Sequence, residues 1–455
     1  MPFMPVTDSM FLLVETREHP MHVGGLQLFR KPDGAGANYL SDLRRSMLGT
    51  DNVRSVFRRR PSRPVNTVGH LSWSTETDLD LDYHFRHSAL PQPGRIRELL
   101  EVTSRWHSTL LDRHRPLWEI HLIEGLQDGR FAMYSKIHHS LMDGVSALRH
   151  LQGTLSDDPG DLDCPPPWGS RAAGQSRNGH PPASLAKLAS KTFDQLTGLA
   201  PAAAKVAREA FREHTLTLPM QAPKTMLNVP IGGARRFAAQ SWPLARVSAI
   251  AAAAGVSRND VVLAMCSGAL RDYLIEQSAL PDAPLIAMVP VSLRRKSDGE
   301  ATGNNIGALL CNLGTDLSDP ARRLATVNAS MTNGKKLFSE LTPLQTLLLS
   351  GVNVAQLGVS PLPGVVNNTR PPFNLVISNV PGPRKQMYWN GAALDGIYPA
   401  SVLLDGQALN ITLTSNGDNL DFGITGCRRS VPHLQRILTH LDTALAELES
   451  ATGTK

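Results

Sequence analysis

His138, His139 and Asp143 stand in the run HHSLMDG at residues 138–144, and no other stretch of the chain is better equipped to move a proton. A free imidazole has a pKa of roughly 6.5, so near neutral pH it can take a proton and return it. A carboxylate four residues on can orient such a ring or open a following helix. Residues 131–137 (FAMYSKI) read as a strand, and residues 145–151 (VSALRHL) carry the apolar spacing of a helix that Asp143 and Gly144 would start. His139 then lies at a strand end, its backbone fixed by the sheet and its ring facing a cleft, which suits a general base. Two structural readings compete with catalysis. Metal ligation needs three or four ligands with supporting partners, and the chain has neither HExxH nor CxxC, so no metal is expected. His107, His114 and His121 recur every seven residues but fall on a helix, a loop and a strand, and are not expected to share a face. In the other reading a histidine fills space and Asp143 caps the helix, a role it keeps even if the site is catalytic.

The surrounding elements must hold that pair in place. Pro116, Leu117 and Trp118 (PLW) lead into residues 118–124 (WEIHLIE), an alternating strand that a turn around Asp128 and Gly129 pairs with the strand carrying the histidines. Far downstream, residues 236–244 read as a strand followed by an Ala-rich helix. Ser257, with Asp260 three residues on, starts another helix in the manner of a capping box, over the segment NDVVLA at residues 259–264.

At 455 residues the chain is expected to form two domains, residues 1–156 and 226–455, joined by a linker and crossover helix at 157–225. Residues 157–182 are dense in Pro, Gly, Ser and Asp and read as a linker or mobile surface loop. Residues 183–213 read as a long amphipathic helix with Lys187, Lys191, Lys205, Arg208 and Arg212 on its polar side, suited to a membrane surface or to packing across the domains. A net charge of +6 does not call for nucleic acid, and the basic clusters at 54–63 and 293–296 read as solvated surface. The four cysteines lack metal or redox spacing and no secretory signal is seen, so a reducing cytoplasm is expected. No run approaches the roughly 20 apolar residues of a membrane span, and an integral membrane protein is not expected. The charge-free stretch 341–369 is broken by Pro343, Gly351, Gly358, Pro361 and Pro363. It reads as a buried helix beside a hydrophobic tunnel, or as the membrane-facing lip of the site.

PLW, HHxxxDG and NDVVLA, in that order, together with MHVGG at 21–25 and SNVPGP at 378–383, resemble the bacterial wax ester synthase/acyl-CoA:diacylglycerol acyltransferase family over nearly the whole chain. HHxxxDG alone is similar to motifs across a superfamily that includes chloramphenicol acetyltransferase, carnitine acyltransferases, plant acyltransferases and peptide-synthetase condensation domains. The DFG at 421–423 looks like the structural loop of the plant relatives. His138 and Asp143 also share the HxxxxD spacing of glycerolipid-phosphate acyltransferases, but no Gly-Thr-Arg element follows.

The resemblance implies an α/β fold of two chloramphenicol-acetyltransferase-like domains, each a mixed β-sheet flanked by helices, with the active-site tunnel between them. It implies His139 as general base, His138 in support and Asp143 in a structural, orienting role. Gly144, Pro116, Leu117, Trp118, Asn259, Asp260, Ser378 and Asn379 become motif and substrate-binding candidates. Asp260 is read as a cap, and Asn259 either contacts the acceptor or braces the histidine loop. Asn259, Ser378 and Asn379 are candidate oxyanion donors. The implied substrates are a medium- to long-chain acyl-CoA and a diacylglycerol or fatty alcohol, with no cofactor, at the inner face of the membrane or on lipid droplets. With no GxSxG elbow in the chain, direct transfer is favoured over an acyl-enzyme. The competing readings are a superfamily acyltransferase for another hydroxyl lipid and a lipid-droplet-binding relative without catalysis.

Overall fold

The computed structural model describes residues 4–62, 71–171, 221–292, 306–340 and 365–454. In the first half, helices α1 (Val6–Val14), α2 (Tyr39–Leu48), α3 (Leu81–His84), α4 (Ile96–Ser108) and α5 (Gly144–Gly153) accompany strands β1 (His22–Arg30), β2 (Arg59–Ser62), β3 (Ser72–Thr75), β4 (Phe85–Ala89), β5 (Trp118–Glu124) and β6 (Phe131–His138). The second half supplies strands β7 (Arg235–Pro243), β8 (Ile286–Ser292), β9 (Ile306–Asn312), β10 (Leu375–Val380), β11 (Tyr388–Trp389), β12 (Ala392–Ala400), β13 (Leu409–Asn416) and β14 (Asn419–Cys427). Its helices are α6 (Leu244–Ala254), α7 (Arg258–Glu276), α8 (Pro320–Glu340), α9 (Val365–Asn368) and α10 (Arg436–Thr452).

Two six-stranded sheets result, ordered β11-β12-β1-β6-β5-β4 and β7-β14-β13-β10-β8-β9, beside a β2–β3 hairpin. Both are mixed: β4 runs parallel to β5, and β10 runs parallel to β13 and β8, while the other neighbours are antiparallel. The second domain is built around α7, whose residues 260–270 are buried on every side, as befits a central helix without a polar stripe. Among the described residues no single helix is long and apolar enough to cross a membrane; α6 and α7 reach that composition only together, and they are bent by 105°.

The division at residues 156 and 226 is not the division of the sheets. β11 and β12 come from the second half of the chain and complete the first sheet, β12 pairing with β1 from Gly24↔Ala400 to Arg30↔Ala393. The crossing is secured on the face of β14. Asp421 Oδ2 accepts the Ile397 N–H at 2.8 Å, and Thr425 Oγ1 accepts the Ser401 N–H at 3.1 Å. Between them, any Cβ at Gly423 would overlap the Pro399 carbonyl oxygen, so glycine is required for the approach. The DFG run is therefore the middle of a strand and not a loop. Burial pushes the Asp421 carboxyl up to about 6.

The expected linker is also corrected where it is described. Within residues 157–171 Trp168 is fully buried, packed against Phe85 and Trp118 at centroid distances of 4.9 and 5.8 Å, and its carbonyl accepts the Arg54 N–H. One large aromatic side chain anchors a segment whose composition otherwise reads as loop. Arg54, read as solvated, is partly buried and bonds His150 Nδ1 at 2.6 Å. The helix expected at 183–213, the basic cluster at 293–296 and residues 341–364 of the charge-free stretch lie outside the described residues.

Gly423→Ala is expected to lower the calorimetric melting midpoint by about 5 °C or more through overpacking. Gly153→Ala, where a Cβ meets nothing within 4 Å, is expected to leave it unchanged.

Candidate active site

The histidine pair is held by the strands on either side of β6. The His138 N–H donates to the Leu117 carbonyl at 2.9 Å and the His139 N–H to the Met21 carbonyl at 2.8 Å. The pair is thus pinned between the PLW segment and the start of MHVGG, at the end of the β1–β6 register, where His22 faces His138. Asp143 caps α5, its Oδ1 accepting the Ser146 N–H at 2.8 Å.

Successive residues at a strand end point to opposite sides, and the two rings meet different fates. His138 is fully buried: Nδ1 faces the Ser140 hydroxyl at 2.6 Å and the Ser140 N–H at 3.1 Å, and Nε2 lies 3.3 Å from Glu15 Oε1. Glu15 also accepts the Met21 N–H at 3.0 Å and the Arg113 guanidinium at 2.9 Å. Burial would raise the Glu15 carboxyl, but bonds from His138, Met21 and Arg113 outweigh it and hold the group below its ordinary value. Glu15 was missed in the sequence, where its only signal is a carboxylate closing an apolar run.

His139 lies on the other side, stacked on Phe11 of α1 at 4.1 Å. Its Nδ1 is buried against the residue's own backbone, which leaves Nε2 as the nitrogen to meet a ligand. Burial pulls its pKa down to about 4; the Asp143 charge opposes that shift and neighbouring His138 adds to it. At neutral pH the ring is uncharged and ready to accept a proton.

His139 opens onto a cavity of about 340 Å³ that lies between the two sheets, at the lower end of the range for small-molecule sites. One wall is β1, β6, α1 and α5, with Gly24, Gly25 and Gly144 on it; the other is Pro290, Val376, Ser378, Asn410 and Thr412 of the second sheet. The lining is largely apolar. Thr412 Oγ1 donates to Asn410 Oδ1 at 2.8 Å, which fixes the amide so that its oxygen is engaged and its N–H groups stay on the other end. Asn410 and Thr412 were also missed. Their signal is the run NITLT, in which polar residues alternate with apolar ones on a strand buried on both faces.

Of the predicted residues, Gly144 and Ser378 line the cavity with His139 and Asp143. Pro116, Leu117 and Trp118 do not; they are buried behind the pair, with Trp118 Nε1 donating to the Phe57 carbonyl and the indole stacked on His84. Asn259 and Asn379 contact each other at 3.4 Å, and neither is among the cavity residues. Asp260 closes a capping box with Ser257 and accepts from Asn328. His107 and His121, expected apart, converge on Tyr134: His107 Nδ1 meets its hydroxyl at 2.8 Å, and both rings lie 6.3 Å from its ring. Among the described residues no group of three or more His, Cys, Asp or Glu is placed to hold a metal ion.

An uncharged histidine at a strand end, facing a cavity between two mixed sheets, one of which takes a strand from the other half of the chain, defines a two-domain, chloramphenicol-acetyltransferase-like acyltransferase architecture. The first condensation domain of the CDA synthetase has this fold at 15% identity, with a TM-score of 0.58 over 98% of this chain and 95% of that one. The family model of the wax ester synthase/diacylglycerol acyltransferase catalytic domain matches residues 4–262, and that of the WS/DGAT C-terminal domain matches residues 302–449. A probable diacylglycerol O-acyltransferase of Mycobacterium tuberculosis is 54% identical over 453 residues, covering 100% of both chains. O-acyltransferase WSD of Acinetobacter baylyi is 43% identical, over 98% of this chain and 97% of its own. The solved wax ester synthase/diacylglycerol acyltransferase from Marinobacter aquaeolei VT8 is 41% identical, with a TM-score of 0.79 over 100% of both chains. The chain belongs to the wax ester synthase/diacylglycerol acyltransferase family and is an O-acyltransferase.

Because the His139 pKa is lowered, the working form is lost only on strong acidification. Initial rates of kcat/KM are expected to stay level from neutral pH to about 5 and to fall with an apparent pKa of about 4. An acid limb near the ordinary histidine value would contradict the burial described here.

Proposed function

We propose that this enzyme transfers a medium- to long-chain acyl group from acyl-CoA directly to the hydroxyl of a diacylglycerol or a fatty alcohol, giving triacylglycerol or wax ester. The observation that carries the reading is the uncharged His139 ring, with one open nitrogen, in an apolar cavity walled by both sheets. His139 Nε2 removes the hydroxyl proton as the oxygen attacks the thioester carbonyl. The tetrahedral oxyanion takes hydrogen bonds from the Ser378 hydroxyl and the Asn410 amide, and its collapse expels the CoA thiolate, which the His139 imidazolium protonates. No acyl-enzyme is required, and no cysteine is among the cavity residues.

His138 and Asp143 act on position. Glu15 fixes the His138 ring, and Asp143 anchors the turn between β6 and α5. Asn259 and Asn379 brace α7 against the end of β10, away from the reacting atoms. Acyl-CoA is a substrate, and the steps draw on no cofactor or metal. Because the acceptors are lipids, the enzyme works peripherally, at the inner face of the membrane or on lipid droplets.

Thiol release from palmitoyl-CoA with hexadecanol or dipalmitoylglycerol, with lipid products resolved, tests the reading and ranks the acceptors. His139→Ala is expected to keep its melting midpoint and lose on the order of 100- to 10,000-fold in rate. Asn410→Ala is expected to lose on the order of 100-fold in kcat with little change in KM. No ester with either acceptor, or a folded His139→Ala protein as active as wild type, would overturn it.

A further inference from the structure

We infer that the outward face of α1 is the surface on which this enzyme meets lipid, inserting Met10 and Leu13 into an uncharged lipid surface beside the cavity. The inference rests on the lipid-acceptor reading above and names the place where it acts. Among the described residues the exposed large apolar side chains are Met10, Leu13, Leu110, Leu162 and Ile275, with Met10 45% and Leu13 57% exposed. Single exposed apolar side chains are ordinary; two on one face of a short helix, with a third on the loop tied to it, are not. Met10 and Leu13 lie one turn apart on α1. Leu110 adjoins Leu111, which packs in one apolar cluster with Leu12, and Arg113 ties the same loop to α1 by donating to the Leu12 carbonyl at 2.8 Å.

The other face of α1 is part of the site. Asp8 and Phe11 line the cavity, Phe11 stacks on His139, and Glu15, just past the helix end, faces His138. One nine-residue helix thus presents apolar side chains outward and forms the cavity wall inward. That continuity is the argument for lipid as the occupant: an acceptor or product soluble only in lipid needs an apolar route between its phase and the reacting atoms, and α1 borders both. Among the described residues at the end of α1 and in the loop at 110–114 the charges are mixed, Arg17 and Arg113 standing with Glu15, Glu18 and Asp112, so they give no net pull toward an anionic surface. The contact is apolar insertion and insensitive to salt.

Sedimentation of the full-length enzyme with phosphatidylcholine vesicles carrying a small fraction of dioleoylglycerol, at low and high salt, tests this directly. The double variant Met10→Ser with Leu13→Ser is expected to lose roughly tenfold or more in vesicle partition. Salt, and the control Leu162→Ser with Ile275→Ser, are expected to leave partition unchanged. Partition of the α1 variant equal to wild type, an equal fall in the control, or loss of binding at high salt overturns the inference. So does dissociation of an oligomer by the α1 variant with vesicle binding intact, which would make a second copy the occupant. Turnover on vesicle-borne dioleoylglycerol is expected to fall with partition, while turnover on water-soluble hexanol is retained. If wild type esterifies neither acceptor, the lipid-acceptor reading fails, whatever the partition result. Should the double variant not fold, Leu13→Cys carrying an environment-sensitive fluorophore replaces it, the four native cysteines being buried. A blue shift on vesicles is expected, and its absence overturns the inference.

Discussion

β12 pairs with β1 along one edge and, on the face of β14, gives the Ile397 N–H to Asp421 and the Ser401 N–H to Thr425. Both walls of the cavity depend on that crossing. Residues 399–402, at the end of β12, line the cavity where the two sheets meet, and β1 in turn supplies the Met21 carbonyl that holds His139. Were the sheets joined only by a loop, each would carry half of a site with nothing to set the distance between the halves. The close approach at Gly423 and the buried carboxylate of Asp421 are the local cost of that rigidity.

Two adjacent imidazoles with opposite surroundings show how the same side chain becomes support or base. His138 is hydrogen-bonded to Ser140 through Nδ1 and faces the Glu15 carboxylate at 3.3 Å through Nε2, so its ring is held among polar groups. His139 is given an aromatic face and a sealed Nδ1, so burial disfavours its charged form. The strand's alternation separates the two environments across a single peptide bond. Arg113 and the Met21 N–H complete the arrangement by keeping Glu15 ionised, so the buried carboxylate is not left uncompensated.

What the sequence disclosed follows from how local each signal is. The alternation in WEIHLIE marked β5 at its observed bounds, Asp143 was legible as a cap because capping needs only the next turn, and Ser257 with Asp260 is a reciprocal pair three residues apart. The two-sheet fold and the cavity between the sheets came through the order of motifs. Less legible was whatever depends on distant pairing. Nothing near residue 392 announces that its strand joins β1, so a domain boundary read along the chain leaves β12 with the second half, and DFG reads as a loop where it lies within β14. Asn259 and Asn379 looked like oxyanion donors because they are polar and belong to motifs, yet they meet each other outside the cavity lining. Asn410 and Thr412 sit in a plain strand whose polar face acquires meaning only when the opposite sheet closes over it.

The borrowed strand also sets an order of events during synthesis. β1 ends at Arg30 and β12 begins at Ala392, so at translation rates of roughly 5–20 residues per second one edge of β1 waits tens of seconds for its neighbour. Throughout that interval the nascent first sheet carries an unpaired edge open to wrong partners. The first half therefore reaches its finished form only when nearly the whole chain has left the ribosome, and the two halves mature together.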